Sequence, residues 1–97
     1  MAYKKREDNV YQEWDKRIIK SSQGTNRFYR VFYGTVLWQD GELRKACVVF
    51  VQYGNSEDWK AACRNREIAF DEPAHILVED YEKVYTAIKE LTTTANI

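Results

Sequence analysis

The first segment with a regular apolar pattern follows Asn9, a residue that favours the N-cap of a helix. Four apolar side chains after it have the spacing of one helical face: Val10, Tyr11, Trp14 and Ile18. The pattern predicts a helix over about residues 10–21. A strand is the competing interpretation, because Val10, Gln12 and Trp14 also alternate along the chain.

Two runs rich in aromatic and β-branched residues, 28–38 and 43–53, predict the strands of an antiparallel hairpin. Asp40-Gly41 lies between them, and this dipeptide is typical of a two-residue hairpin turn. Such a turn would place Phe28 opposite Tyr53 and Leu37 opposite Arg44. The hairpin is therefore the predicted centre of the sheet.

Alternate side chains of the first run define two faces of the hairpin. The phenylalanine face carries Phe28, Arg30, Phe32, Gly34, Val36 and Trp38. The tyrosine face carries Arg27, Tyr29, Val31, Tyr33, Thr35 and Leu37. We expect helices to pack on the phenylalanine face. The tyrosine face has two interpretations: either a helix or terminal segment covers it, or it is an open platform for a partner protein or stacked bases.

The rest of the sequence predicts two helices and one or two further strands. A short helix is expected near 56–65, and one or two short strands near 67–70 and 75–78. The last segment has an apolar helical stripe that should pack on the sheet: Tyr81, Val84, Tyr85, Ile88 and Leu91. The predicted order is α-β-β-α-β-α, an α+β fold with an antiparallel sheet. Residues 1–97 form one predicted domain, with a flexible basic N-terminus at residues 1–8.

Composition places the chain among globular proteins and indicates its compartment. Its formal net charge is zero, yet residues 1–30 are basic and residues 67–97 are acidic. The longest apolar run, 46–51, is too short to span a membrane, and no secretory signal is apparent. We expect a soluble cytoplasmic protein in which Cys47 and Cys63 are free, structural thiols.

Motifs that carry chemistry are absent from the sequence. The glycines are isolated and form no phosphate-binding loop, and there is no Cys-x-x-Cys. The chain has one histidine, His75, which lies in an acidic segment interrupted by Pro73. We therefore expect no enzymatic activity, no cofactor and no metal site.

The first functional hypothesis is a non-catalytic protein-binding module, namely an inhibitor, adaptor or regulator. By analogy, solitary domains of this kind are common among phage and mobile-element accessory proteins. Another protein is the expected partner, and a homodimer is left open. The candidate contact residues all lie on the predicted tyrosine face, where the second strand contributes the last two: Arg27, Tyr29, Tyr33, Arg44 and Gln52.

The alternative hypothesis is nucleic-acid binding through basic residues of the N-terminal third and the tyrosine face. Its candidate residues are Lys4, Lys5, Arg6, Lys16, Arg17, Lys20, Arg27 and Arg30. Zero net charge weighs against this hypothesis, because nucleic-acid-binding domains usually carry a strong basic excess.

Overall fold

The computed structural model describes residues 10–95, in which a three-stranded antiparallel sheet carries a helix on each face. The elements, in chain order, are β1 Val10–Lys20, β2 Phe28–Leu37, β3 Leu43–Gln52, α1 Trp59–Arg64 and α2 Tyr81–Ala95. One 3-10 turn, Val78–Asp80, leads into α2. The α+β class is confirmed, but the predicted order is wrong because strands come first. The flexible basic N-terminus predicted at residues 1–8 lies outside the described range.

The segment predicted as the first helix is strand β1, which pairs with β2 from Val10↔Val36 to Lys20↔Phe28. Without β1, the central strand would leave one edge of backbone groups unpaired. Tertiary pairing therefore decides against the weak helical spacing, and the β-branched residues Ile18 and Ile19 suit a strand.

Gly34 permits an unusually close approach between β1 and β2. The pairing shifts between Val10 and Gln12 and again between Glu13 and Asp15. A Cβ atom on Gly34 would lie 1.9 Å from the carbonyl oxygen of Gln12. Glycine is therefore required where the irregular part of β1 crosses the central strand.

The turn of the β2–β3 hairpin differs from the prediction by one residue. The Trp38 N–H donates to the Glu42 carbonyl oxygen at 2.8 Å, which makes Gln39–Gly41 a three-residue loop. Gly41 has a φ of 83°, the left-handed conformation that such loops require at their last position. Phe28 consequently pairs with Gln52 rather than Tyr53, and every β3 side chain lies on the opposite face from the one predicted.

Both faces of the sheet are covered. On the phenylalanine face, the rings of Phe32, Phe50, Trp59 and Phe70 pack together, with centroids 5.5–6.2 Å apart. On the tyrosine face, α2 covers a core that contains Tyr29, Val31, Tyr33, Val84, Ala87 and Leu91. The expectation that helices would pack on the phenylalanine face is met by α1, but the longer helix lies on the other side.

The orientation of α2 also differs from the prediction. Val84, Ala87 and Leu91 are buried, whereas Tyr81 is 57% and Tyr85 is 48% exposed. Asp80 is fully buried, and it shares one helical face with those three apolar residues through spacings of four, three and four. Anchoring this carboxylate turns the two tyrosines outward.

The segment between the helices is largely irregular. The short helix predicted near 56–65 is confirmed as α1, whose N-cap Asp58 accepts a hydrogen bond from the Ala61 N–H at 3.0 Å. The strand predicted near 67–70 is reduced to a single bridge between Ile68 and Gln52. The prediction of a strand near 75–78 is wrong, because the chain passes there from one face of the sheet to the other and forms no strand.

Asp80 ties the start of α2 to the β1–β2 connection. Its carboxylate accepts hydrogen bonds from the Tyr29 hydroxyl at 2.7 Å, the Ser21 hydroxyl at 3.2 Å and the Ser22 N–H at 3.2 Å. The Lys83 ammonium lies 3.3 Å from the second oxygen. Burial alone would raise the pKa of Asp80, but the hydrogen bonds from Tyr29, Ser22 and Lys83 outweigh it and hold that pKa well below the ordinary range.

We expect Asp80→Asn to lower the melting temperature at neutral pH and to flatten the acid side of the stability profile. The folded pKa of Asp80 lies below its unfolded value of about 3.9. Its contribution is therefore complete above the unfolded pKa and is lost as pH falls through the folded pKa. Urea unfolding at several values between about pH 5 and pH 2 measures this slope. Asp71→Asn, at an exposed carboxylate, is the control. An Asp80→Asn slope as steep as that of wild type would contradict the assignment.

Candidate partner-binding edge of the sheet

The candidate protein-binding residues do not form one exposed surface. Tyr29 and Tyr33 are 0% and 7% exposed beneath α2, and Gln52 is fully buried on the other face. Arg44 is exposed and lies on the phenylalanine face, since it pairs with Val36. Arg27 donates hydrogen bonds to the Tyr29 hydroxyl at 3.0 Å and the His75 carbonyl oxygen at 2.6 Å. Of the two interpretations of the tyrosine face, the structure favours the covered one.

Most of the described basic candidates for nucleic-acid contact are engaged within the fold. Lys16 lies 3.9 Å from Glu13, and Arg17 lies 3.2 Å from Asp15. Lys20 donates to the Thr25 carbonyl oxygen at 3.2 Å and its ammonium lies 5.0 Å from the ring centroid of Phe28. The remaining nucleic-acid-binding candidates, Lys4, Lys5 and Arg6, lie outside the described residues.

Arg30 is a structural clamp at the centre of the sheet. Its side chain is fully buried, and it donates to both carboxylate oxygens of Glu13 at 2.9 and 2.7 Å. It also donates to the Gln52 side-chain oxygen at 3.1 Å and to the carbonyl oxygens of Ser56 at 3.0 Å and Glu57 at 2.5 Å. These bonds use all the N–H groups of the guanidinium, so this charge joins β1, β3 and the approach to α1.

The two outer strands of the sheet protect their edges differently. The pairing of strand β1 is irregular at two places. Four of its five residues from 13 to 17 are charged, and Trp14 is the exception. Bulges and charges are the usual means by which proteins discourage the addition of another strand. Strand β3 pairs with β2 without any shift, and its residues 46–51 carry no charge. The edge of β3 is therefore the less protected one.

The backbone groups on the outer edge of β3 follow from its pairing with β2. The Glu42 carbonyl oxygen is bonded towards β2, so alternate residues from Glu42 onwards direct their backbone groups inward. The Val51 carbonyl oxygen and the Tyr53 N–H point outward, to Ala69 at 3.0 Å and Glu67 at 2.7 Å. The same alternation directs outward the N–H and C=O groups of Leu43, Lys45, Cys47 and Val49. No strand of the described range pairs with these four residues.

Helix α2 lies on the tyrosine face, in contact with β1, β2 and β3. The Lys83 ammonium donates to the Lys20 carbonyl oxygen at 3.0 Å, so that side of the helix faces β1. At 3.6 residues per turn, Tyr81 and Tyr85 lie on nearly the opposite side of the helix from Lys83. Their rings are stacked at a centroid distance of 5.9 Å, and the Lys89 ammonium lies 5.5 Å from the Tyr85 centroid.

The described residues offer little for catalysis. No group of three or more histidine, cysteine or acidic side chains in the range 10–95 could hold a metal ion. Cys47 lies on the open edge, but burial raises the pKa of its thiol and so lowers the share of reactive thiolate. Within the same range, no helix has the length and apolar character needed to cross a membrane.

Sequence reasoning identified β3 as a strand but missed that its outer edge is open. The signal was present in part: the run 46–51 is uncharged, while the first strand is rich in charge. The missing information was that β1 pairs with β2 rather than with β3.

Comparisons of the chain with protein-family models, curated proteins and solved structures found no significant match.

Proposed function

We propose that this protein is a non-catalytic protein-binding module that takes up an extended segment of a partner protein along the outer edge of β3. The observation that carries the proposal is the row of outward backbone groups on Leu43, Lys45, Cys47 and Val49. An incoming strand gains affinity from main-chain hydrogen bonds to such a row. Side chains that alternate between the two faces would supply specificity.

The surroundings of the edge also support strand addition. The pairing of β3 with β2 is continuous, so its outer groups are evenly presented. The exposed rings of Tyr81 and Tyr85 on α2 offer apolar contact area to a partner. Tyrosine is enriched at protein interfaces, because it provides a large contact area together with a polar hydroxyl.

Nucleic-acid binding has less support. Arg30 is buried, and Lys16, Arg17, Lys20 and Arg27 are already bound to carboxylates, carbonyl oxygens or a tyrosine hydroxyl. A nucleic-acid surface needs several basic side chains directed together towards phosphates. The described part of the chain does not present that arrangement among the candidates.

We expect Lys45→Pro to weaken partner binding at least about tenfold while Lys45→Ala binds as wild type does, a difference of about 1.4 kcal/mol or more. Both variants remove the ammonium, but only proline removes the outward N–H and places its ring at the edge. Lys45 is exposed, and edge strands tolerate proline where the N–H faces outward. Both variants should therefore retain the wild-type circular dichroism spectrum.

The probe is a display library of random extended peptides, selected on the wild-type protein and measured by fluorescence anisotropy. Amide exchange should then show protection of Lys45, Cys47 and Val49 in the complex. Selected peptides that bind both variants equally, or that leave these amides unprotected, would place the site elsewhere. A selection that yields no binder would reject strand capture.

A further inference from the structure

We propose that, in the absence of a partner segment, the outer edge of β3 is closed by the same edge of a second copy of the chain. The two copies form a weak antiparallel dimer, and capture of the partner segment dissociates it. This inference rests on the proposed function and concerns the regulation of the same site. The open stretch is bounded at both ends, because the hairpin loop precedes Leu43 and the Val51 carbonyl oxygen already accepts from the Ala69 N–H at 3.0 Å. Two copies therefore offer each other open stretches of equal length, residues 43–49.

One register joins the open backbone groups of both copies. A two-fold axis at Ala46 places Leu43 of one copy opposite Val49 of the other. The same axis places Lys45 opposite Cys47. These four residues direct their groups outward, so each pair exchanges two N–H···O=C bonds, about eight in all. A shift by two residues in either direction leaves only about six, because one outward residue then lies beyond the open stretch.

The side chains that this register brings together are compatible. On the tyrosine face, Leu43 is 57% exposed and would contact the apolar Val49 of the second copy. On the phenylalanine face, the two small Ala46 side chains would meet at the axis, in a non-hydrogen-bonded pair where the strands approach closely. Residues 46–50 are uncharged and partly buried, and pairing would remove more of their apolar surface from water.

The two basic residues of the open stretch do not oppose the pairing. Arg44 is bonded to the Asp40 carboxylate of its own copy. The Lys45 ammonium lies 5.7 Å from the centroid of the Trp14 ring, which belongs to β1, so it is directed across β2 and away from the edge. In the register about Ala46, the two copies of Arg44 lie four positions apart along the strands, about 13 Å. Repulsion between like charges is therefore small.

The extent of the contact sets the strength of the dimer. About seven residues of each copy would pair, whereas a stable protein interface uses about 20–30 residues a side. We therefore expect a dissociation constant between about 1 µM and 1 mM. Such a dimer covers the edge at high local concentration, where an unpaired edge would promote aggregation. In dilute solution the monomer prevails, and the edge is available to a partner segment.

Sedimentation velocity over about 1 µM to 1 mM protein tests for the dimer. We expect the dimer fraction to rise with concentration in wild type and in Lys45→Ala, while Lys45→Pro stays monomeric. Only the proline removes an outward N–H that the second copy would accept. A wild-type protein that stays monomeric throughout would overturn the inference, and so would a dimer that Lys45→Pro retains.

Cysteine cross-linking tests the register, in a background in which Cys47 and Cys63 are replaced by serine. With oxidised glutathione, Ala46→Cys should form a disulfide between two copies, because their Cα atoms would lie about 4.5 Å apart. Val48→Cys is the matched control on the same face, since its two copies would lie about 13 Å apart. Failure to cross-link at position 46, or equally efficient cross-linking at position 48, would overturn the register and the dimer built on it.

A peptide selected on dilute wild-type protein tests the link between dimerisation and strand capture. It should convert the dimer into a monomeric complex in sedimentation velocity. It should also bind the reduced form of the Ala46→Cys variant and not the oxidised dimer, and binding to the oxidised dimer would overturn the inference. If peptides protect the amides of Lys45, Cys47 and Val49 but the protein never dimerises, strand capture stands and only this inference fails. If neither a peptide nor a second copy protects these amides, both proposals fail.

Discussion

Arg30→Lys is expected to lower the free energy of unfolding by about 2–6 kcal/mol, because at least two acceptors inside the fold lose their hydrogen bond and each such loss costs about 1–3 kcal/mol. Arg30 is the largest fully buried side chain among the residues the structure describes, and its guanidinium bonds to Glu13, Gln52 and two carbonyl oxygens. An ammonium has three N–H groups without the planar fork, so it cannot satisfy the same acceptors. Urea unfolding followed by circular dichroism measures the loss.

Arg17→Lys is the matched control for this variant. Arg17 is about two-fifths exposed, and its ion pair with Asp15 lies at the surface, where such pairs contribute little. We expect its unfolding midpoint to remain close to that of wild type. Equal effects of the two substitutions would show that Arg30 is not the clamp of the phenylalanine face.

Leu91→Ala is expected to lower the free energy of unfolding by about 2–5 kcal/mol, because it removes a buried side chain and leaves a cavity under α2. Leu91 is 1% exposed in the core that contains Tyr29, Val31 and Tyr33. A small domain has little stability to spare, so this change should be visible as a large fall in melting temperature.

Tyr85→Ala is the matched control on the same helix. Tyr85 is 48% exposed and stacks only on the exposed ring of Tyr81, among the aromatic contacts of the described range. It should melt within a few degrees of wild type. The opposite order of effects would mean that Tyr85, and not Leu91, lies in the core under α2.

Local patterns were sufficient for several elements. The aromatic and β-branched runs identified β2 and β3, and helical spacing identified α2 and the position of α1. These elements are recognisable because hydrophobic periodicity and turn residues act over a few positions. The candidate contact set Tyr29, Tyr33 and Gln52 failed to form a surface for a different reason, since nothing local shows what covers a sheet face.

The sequence by itself determined the α+β class, the hairpin and the absence of recognisable catalytic motifs. Only the tertiary structure decided the rest. Pairing with β2 converted residues 10–20 into a strand, because an edge of the central strand had to be satisfied. One extra residue in the 39–41 loop exchanged the faces of β3. Burial of Asp80 against Tyr29 set the rotation of α2 and left Tyr81 and Tyr85 exposed. The pairing of β1 with β2 rather than with β3 left the outer edge of β3 open.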